Sequence, residues 1–327
     1  MMRSGRRRLV LATLGGVLAR PALVTAQGTW PNRPVRILIS FPPGGSSDVV
    51  ARIIAPHLTE RFGRPFVVDN RPGAGGMLAA NTLKREPADG YAFLLSNNAP
   101  FTIAPTMFPR ITYDALADFS HVAYLGATFG GVLAHPSLGA RAVPELIAKA
   151  HAAPGQLNYG SSGIGSIGHI TGATFARMAG VDMVHIPYRG AAALRTELTN
   201  GTVQMSFEGV VSALPAVQAG QLLALATASE QRLSLTPDVP TFRETGQDIV
   251  IKNWHGMSAP AGLPASIATP LHAALAEICA RPDVTEAFLR IGNFVEPMTQ
   301  AGFTTFVADQ IALWRPMIIE ADAVEKS

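Results

Sequence analysis

Short apolar runs alternate with amphipathic stretches along most of this 327-residue chain, and this alternation limits the fold more than any other feature. Residues 35–39 are typical of a buried strand. A Pro-Gly break follows them, and apolar residues at helical spacing then predict a helix that ends at Gly63. The repeated order of strand and helix predicts an α/β protein with mainly parallel sheets.

The pattern occurs in two similar blocks, followed by a mostly helical C-terminal part. A chain of 34.4 kDa is long for one hydrophobic core, so two lobes are expected. We predict lobe I from residues 27–125 and 253–327, lobe II from residues 126–252, and hinge crossings near 125–129 and 253–258. The further predicted strands are 66–68, 91–95, 132–134, 157–159, 183–188, 203–207 and 222–227, and the further predicted helices are 144–153, 167–179, 191–200, 264–280, 283–291 and 303–319.

The formal charge of +3 belongs to the N-terminal leader. Residues 1–26 hold five arginines and no acidic residue, and the other 21 basic and 23 acidic residues give a net charge of −2. A basic surface for nucleic acid is therefore not expected. Four early arginines, an apolar stretch at 9–19 and small residues at 24–26 are typical of a cleaved secretory signal.

We therefore expect a signal peptide at 1–26 and a periplasmic protein. The twin-arginine export route is an alternative because Arg7 and Arg8 are adjacent, and an uncleaved N-terminal anchor is another. A hydrophobic fraction of 48% and a charged fraction of 15% exclude a disordered chain. One cysteine, Cys279, excludes an internal disulfide and a cysteine-cluster metal site. We expect a monomer with no cofactor and no metal.

The loop 41–48 lies between a predicted strand and a predicted helix. Gly44 and Gly45 allow backbone N–H groups to approach a ligand, and the N-terminus of a helix favours an anion. A carboxylate site is one interpretation of this loop. A tight turn capped by Ser46 or Asp48 is the other.

The loop 160–169 has the same placement. It contains the G-x-G-x-x-G spacing of dinucleotide sites from Gly163, but Asp182 precedes the next strand, whereas the acidic residue of such a site follows it. The three serines of the loop favour a small polar ligand instead. His169 is either a base beside them or a buried, hydrogen-bonded histidine, and the absence of a G-x-S-x-G motif favours the second.

Two further charged residues follow or end predicted strands. Arg189 is placed either to pair with a ligand carboxylate or to form a surface ion pair. Glu208 either accepts hydrogen bonds from a ligand or its waters, or caps the following helix.

Taken together and in order, these loops resemble the Bug-type extracytoplasmic solute receptors, the substrate-binding components associated with tripartite tricarboxylate transporters. The similar segments cover nearly the whole chain after the leader. They are WPNRPVR at 30–36, FPPGGSSD at 41–48, NRPGAGG at 70–76, PADGY at 87–91, NYGSSG at 158–163, HIPYRG at 185–190, PDVPT at 237–241, WHG at 254–256 and APAG at 259–262.

The resemblance implies a type II periplasmic binding fold, in which two α/β lobes close on a ligand. It places Ser46, Asp48, Ser161, Ser166 and His169 at ligand-site positions of the family. The predicted ligand-binding residues are Phe41, Gly44, Gly45, Ser46, Ser47, Asp48, Asn97, Ser161, Ser162, Gly165, Ser166, His169, Tyr188, Arg189 and Glu208.

The resemblance also implies a receptor without catalysis. We expect it to capture a mono- or dicarboxylate, an aromatic acid or a related metabolite and to deliver it to the membrane subunits of a tripartite tricarboxylate transporter. Glu208 stands where family members commonly have Asp, which leaves the particular ligand open. A ligand-dependent sensor partner of a membrane receptor and an exported serine hydrolase are the alternatives.

Overall fold

The computed structural model describes residues 30–324, so the predicted leader at 1–26 lies outside the described residues. Nine strands form within that range. They are β1 (Val35–Ile39), β2 (Phe66–Asn70), β3 (Ala92–Asn97), β4 (Phe119–Ala134), β5 (Leu157–Ser161), β6 (Met183–Pro187), β7 (Met205–Gly209), β8 (Leu223–Thr227) and β9 (Lys252–Pro260).

Ten α-helices accompany the strands in the same range. They are α1 (Ser46–Phe62), α2 (Met77–Lys84), α3 (Ala104–Met107), α4 (Val143–Ala152), α5 (Ile167–Ala179), α6 (Ala191–Thr199), α7 (Leu214–Gln218), α8 (Ala265–Cys279), α9 (Pro282–Arg290) and α10 (Gln300–Glu320). Gly63 and Gly180 end α1 and α5 in the left-handed conformation, as the sequence predicts, because glycine has no Cβ to clash there.

The strands lie in the order β2-β1-β3-β9-β4-β7-β5-β6, and β8 pairs with β4. The α/β class is confirmed, but the prediction of mainly parallel sheets is wrong. The pairs β1–β2, β1–β3, β5–β6 and β5–β7 are parallel, whereas β3–β9, β4–β7, β4–β8 and β4–β9 are antiparallel. The sheet is mixed because β4 and β9 return through its centre.

Strand β4 is much longer than the three-residue strand that the sequence predicts. Its first part, from Phe119 to Phe129, pairs with β9, and its last part, from Gly130 to Ala134, pairs with β7. The predicted hinge segments 125–129 and 253–258 lie on these two paired strands. The lobe boundaries and the hinge motion stay predictions.

Separate apolar clusters stabilise the two blocks. Val35, Ile54 and Phe93 belong to a cluster that covers one face of the first strands. Tyr159 and Phe207 belong to another cluster, on the side of α5. Since burial of each large apolar side chain contributes roughly 1.5–3 kcal/mol, these cores fix the loops that leave the strand ends.

Candidate functional site

A cavity of about 120 Å³ lies beside the paired strands β4 and β9. Three helices begin at its wall, with Ser46 at the start of α1, Ile167 at the start of α5 and Ala191 at the start of α6. The first backbone N–H groups of a helix have no partner within the helix and carry a partial positive charge. The cavity therefore collects donors from both blocks of the chain.

The start of α1 has no side-chain cap. The residue before it, Gly45, adopts an extended conformation and provides no capping hydrogen bond. Val49 closes the first helical turn by donating its backbone N–H to the carbonyl of Gly45, over 3.0 Å. The earlier N–H groups of the helix are not side-chain capped, which makes this end suitable for an anion.

Asp48 holds the loop and does not line the cavity. Its Oδ2 accepts hydrogen bonds from the backbone N–H of Gly44 (3.0 Å) and from Arg52 Nε (2.9 Å), and its Oδ1 accepts one from Asn70 Nδ2 (3.0 Å). Burial alone would raise the pKa of Asp48, but these three hydrogen bonds lower it below its ordinary value. The geometry supports a structural role for this carboxylate.

Two serines at the start of α1 are oriented by amide side chains. Asn97 Nδ2 donates to Ser47 Oγ over 3.1 Å, and Asn253 Nδ2 donates to Ser46 Oγ over 3.2 Å and to Thr128 Oγ1 over 3.1 Å. Each serine oxygen thus accepts from the protein. The hydroxyl hydrogen of Ser47, which lines the cavity, remains available to donate to a ligand.

The start of α5 is capped by its own serine. Ser166 Oγ accepts the backbone N–H of His169 over 3.4 Å, and the backbone N–H of Ser166 donates to the carbonyl of Gly163 over 3.1 Å. Both Ser162 and Ser166 line the cavity. They hold the second loop against it, opposite the start of α1.

His169 contacts another histidine outside the cavity lining. Its ring stacks on His185 with 4.1 Å between the ring centroids, and burial lowers the pKa of His169 to about 4. Burial, and then the proximity of His169, lower the pKa of His185 to about 3. Ser161 is fully buried, with its Oγ 2.7 Å from His185 Nε2. These groups form a neutral structural network.

The cavity lining includes nine of the fifteen predicted ligand-binding residues. They are Phe41, Gly44, Gly45, Ser46, Ser47, Asn97, Ser162, Ser166 and Glu208. The other six lie elsewhere: Asp48, Ser161 and His169 as described above, Gly165 beside His169 Nδ1, Tyr188 bound through its backbone N–H to the carbonyl of Ser161, and Arg189 on the exposed surface. As ligand contacts, all fifteen remain predictions.

Sequence reasoning missed six polar residues of the wall, which are Asn98, Thr128, Thr171, Arg195, Ser212 and Asn253. Arg195 lies inside α6, whereas Arg189 is predicted because it directly follows a predicted strand. Asn98 follows Asn97 at the end of the buried strand β3, and its Oδ1 accepts the backbone N–H of Trp254 over 2.9 Å. Paired amides directly after a buried apolar run were the available signal for Asn98.

Glu208 lies within β7, not after the strand as the sequence predicts, and lines the cavity. Its Oε1 exposes less than 1 Å² and has no hydrogen-bond partner among residues 30–324. Burial raises the pKa of Glu208, and the nearby charge of Arg195 and hydrogen bonds from Ser162 act in the opposite direction. The raised pKa means that Glu208 keeps its proton to a higher pH than an exposed glutamate does.

The chain matches the family model described as tripartite tricarboxylate transporter family receptor over residues 50–323. The chain belongs to this family. The protein BugT of Bordetella pertussis is 32% identical to this receptor over 318 residues, which cover 96% of this chain and 98% of BugT. The family resemblance inferred from the loops is confirmed.

Two solved structures extend the comparison. Rpa4515 of R. palustris, solved with adipate, superposes with a TM-score of 0.86 at 30% identity and covers 90% of this chain and 98% of its own. MatC (Rpa3494) of Rhodopseudomonas palustris, with bound malate, gives 0.84 at 28% identity over 88% of this chain and 100% of its own.

The family and its solved relatives are periplasmic solute-binding receptors, not enzymes, and share the type II periplasmic binding fold. Ser166 Oγ contacts the backbone N–H of His169, not its imidazole ring. Among residues 30–324, no helix is long and apolar enough to cross a bilayer. The same part of the chain contains no group of three His, Cys, Asp or Glu side chains suited to a metal ion.

Proposed function

We propose that this receptor captures a small carboxylate in the cavity and delivers it to the membrane subunits of a tripartite tricarboxylate transporter. The observation that carries the proposal is the convergence of three helix N-termini, those of α1, α5 and α6, on one cavity. Backbone donors at helix N-termini bind carboxylates without needing a cationic side chain. The solved relatives with adipate and malate support this ligand class.

The charge of the cavity also supports binding through neutral donors. Arg195 and Glu208 are the only ionisable side chains among the residues that line it, and the guanidinium group of Arg195 is already bound to Ser212. Binding therefore depends on local N–H and O–H groups, including the hydroxyl of Ser47. Because water is excluded when such a site closes, each of these hydrogen bonds becomes stronger than at an exposed surface.

The size of the cavity limits the ligand. A cavity of roughly 150 Å³ accommodates benzene, and the cavity here measures about 120 Å³. Acids of about four carbon atoms fit this volume better than aromatic acids do. Closure of lobe I (27–125 and 253–327) on lobe II (126–252) belongs to the same proposal.

The proposal includes the cellular setting. Residues 1–26 act as a cleaved signal peptide that directs the chain to the periplasm, as their arginines and apolar stretch indicate. The mature protein works as a monomer in this scheme. Mass determination of the protein purified from the periplasm, together with its elution volume on a sizing column, tests both points.

A thermal-shift screen tests the ligand class. Short mono- and dicarboxylates are expected to raise the melting temperature, because a ligand that binds the folded state stabilises it, and the matching amides are expected not to. A well-folded sample that no carboxylate stabilises would refute the proposal. Transporter delivery is tested by uptake in cells that lack the membrane subunits, which should abolish receptor-dependent uptake.

The variant Gly45→Leu tests the location of the site. Gly45 has φ −79°, which any residue adopts, and the nearest atom to an added Cβ is Pro42 O at 3.8 Å. The variant should fold, yet its side chain stands at the cavity wall and should lower affinity at least tenfold. Ala301→Leu, at an exposed position of α10, is the matched control and should keep full affinity.

A further inference from the structure

The carboxyl group of Glu208 is only partly accessible from the cavity. Its Oε1 is sealed from solvent and without a hydrogen-bond partner within residues 30–324. A Cβ added to Gly168, in the first turn of α5, would lie 3.1 Å from this oxygen. The sealed atom is thus packed against the helix, and Oε2 is the carboxyl oxygen left to contact a ligand.

The nearest cation does not pair with Glu208. Arg195 donates through Nη1 to the carbonyl oxygen of Ser212 over 2.6 Å and through Nη2 to the hydroxyl of Ser212 over 3.1 Å. Arg195 influences Glu208 through its charge alone, without a hydrogen bond. The guanidinium group therefore stabilises the turn at Ser212 and leaves the sealed oxygen unpaired.

The groups around Glu208 are otherwise uncharged. Arg195 is the only charged side chain among the described residues that face it from the neighbouring strands and helices. The uncharged neighbours are Leu133, Ser162, Gly168, Leu194, Ser206 and Leu222. An ionised carboxylate with one sealed, unpaired oxygen is costly in such surroundings, whereas the carbonyl oxygen of a neutral acid costs less.

We propose that Glu208 meets a ligand carboxylate as a neutral acid, keeps its proton on Oε2 and donates a hydrogen bond from it to the ligand. This inference rests on the proposed function. Glu208 then selects ligands that present an ionised carboxylate to it. When Glu208 is ionised before binding, the ligand and the site take up one proton from solvent as the complex forms.

The proposal predicts a specific pH dependence of affinity. Below the pKa of Glu208 the affinity for a fully ionised carboxylate is constant, and above it the affinity falls about tenfold per pH unit. The variant Glu208→Gln removes this dependence, because its amide N–H donates to a carboxylate at every pH. The charged alternative, in which ionised Glu208 accepts a hydroxyl or ammonium group of the ligand, gives the opposite slope.

The first experiment needs no ligand. The protein is labelled with ¹³C at the glutamate side-chain carboxyl groups, and their resonances are followed by NMR from pH 3 to pH 9. We expect one resonance to titrate well above the others and to be missing in Glu208→Gln but present in Glu277→Gln, an exposed control on α8. Titration of every glutamate in the ordinary range would overturn the proposal.

The second experiment measures proton uptake. Succinate, butyrate and malate are titrated calorimetrically into wild type and both variants, at several pH values and in two buffers of different ionisation enthalpy. Buffer-dependent heat in wild type and in Glu277→Gln, lost in Glu208→Gln, supports the proposal. Binding with no proton uptake at a pH where Glu208 is ionised overturns it. Failure of all three acids to bind counts against the proposed function, and the NMR titration still decides the state of Glu208.

Discussion

Ser46 Oγ lies 3.2 Å from His255 Nε2, although 209 residues separate the two along the chain. The direction of this bond follows from its neighbours. Asn293 Nδ2 donates to the carbonyl of Leu125 over 2.9 Å, so Asn293 Oδ1 accepts from His255 Nδ1 over 3.1 Å. His255 Nε2 must then accept the hydroxyl hydrogen of Ser46. Hydrogen bonds thereby connect the start of α1 to β9 and, through Asn253, to β4.

Replacement of Ser46 by alanine should destabilise the protein through this network. The variant leaves His255 Nε2 without its donor and Asn253 Nδ2 without one of its acceptors. Since a buried polar group without its partner costs about 1–3 kcal/mol, the free energy of unfolding should fall by that amount in urea denaturation. Ser266→Ala, at an exposed position of α8, is the control and should change stability by less than about 0.5 kcal/mol.

Protonation of His255 should weaken the folded state in mild acid. Burial lowers the pKa of His255 to about 4, although its hydrogen bond with Asn293 acts to raise it, and an unfolded histidine titrates near 6.5. Because the folded pKa is depressed, the stabilising contribution is complete above pH 6.5 and is lost as the pH falls towards 4.

The variant His255→Gln separates this effect from other titrations. Wild type should lose about 1–2 kcal/mol more unfolding free energy than the variant between pH 7 and pH 5. Urea denaturation at both pH values measures the difference. An identical pH dependence in the two proteins would show that His255 does not contribute.

Asp48→Asn should destabilise the loop before α1 at neutral pH. The hydrogen bonds from Arg52, Gly44 and Asn70 hold the pKa of Asp48 below its ordinary value despite its burial. The carboxylate therefore stabilises the fold above the unfolded pKa near 3.9, and this contribution disappears as the pH falls through the folded pKa.

The expected loss for Asp48→Asn is about 1–3 kcal/mol at pH 7, since hydrogen bonds to a charged group are worth more than neutral ones. Thermal or urea unfolding at pH 7 and at pH 3 measures it, and the difference from wild type should be smaller at pH 3. Asp309→Asn, on the solvent-facing side of α10, provides the matched control. A deficit of equal size at both pH values would contradict the assignment of charge.

The sequence predicts the strands and helices well where period and breaker residues agree. Helix α5 runs over Ile167–Ala179 and ends at Gly180, as predicted. Strand β4 is different, because only its last residues are bounded by turn signals. Its first part contains polar and small residues that pair with β9 and pack against α8 and α10, and local pattern does not reveal such long-range contacts.

Seven of the nine predicted residues that line the cavity come from the glycine-rich loops, and Asn97 and Glu208 come from strands. Gly44 and Gly45 indicate a loop that leads into the uncapped N-terminus of α1, whose backbone N–H groups can donate to a ligand. Arg195 has no such signal, because an arginine inside an amphipathic helix normally lies on the solvated face. Whether a side chain such as Arg195 lines the cavity depends on how the two α/β blocks pack together. Local sequence patterns do not specify that packing.

The adjacent glycines before α1 differ in backbone conformation, but both have room for an added Cβ. This difference gives a final prediction. Gly44 has φ +87° and Gly45 has φ −79°. An added Cβ would have its nearest neighbour at 3.8 Å in both cases, Ala192 Cβ for Gly44 and Pro42 O for Gly45. Gly44→Ala should therefore lose about 1–2 kcal/mol through left-handed strain. Gly45→Ala should be neutral or slightly stabilising, because alanine restricts the unfolded chain. Urea denaturation of both variants at pH 7 measures the difference, and equal stability would show that the loop does not hold Gly44 at positive φ.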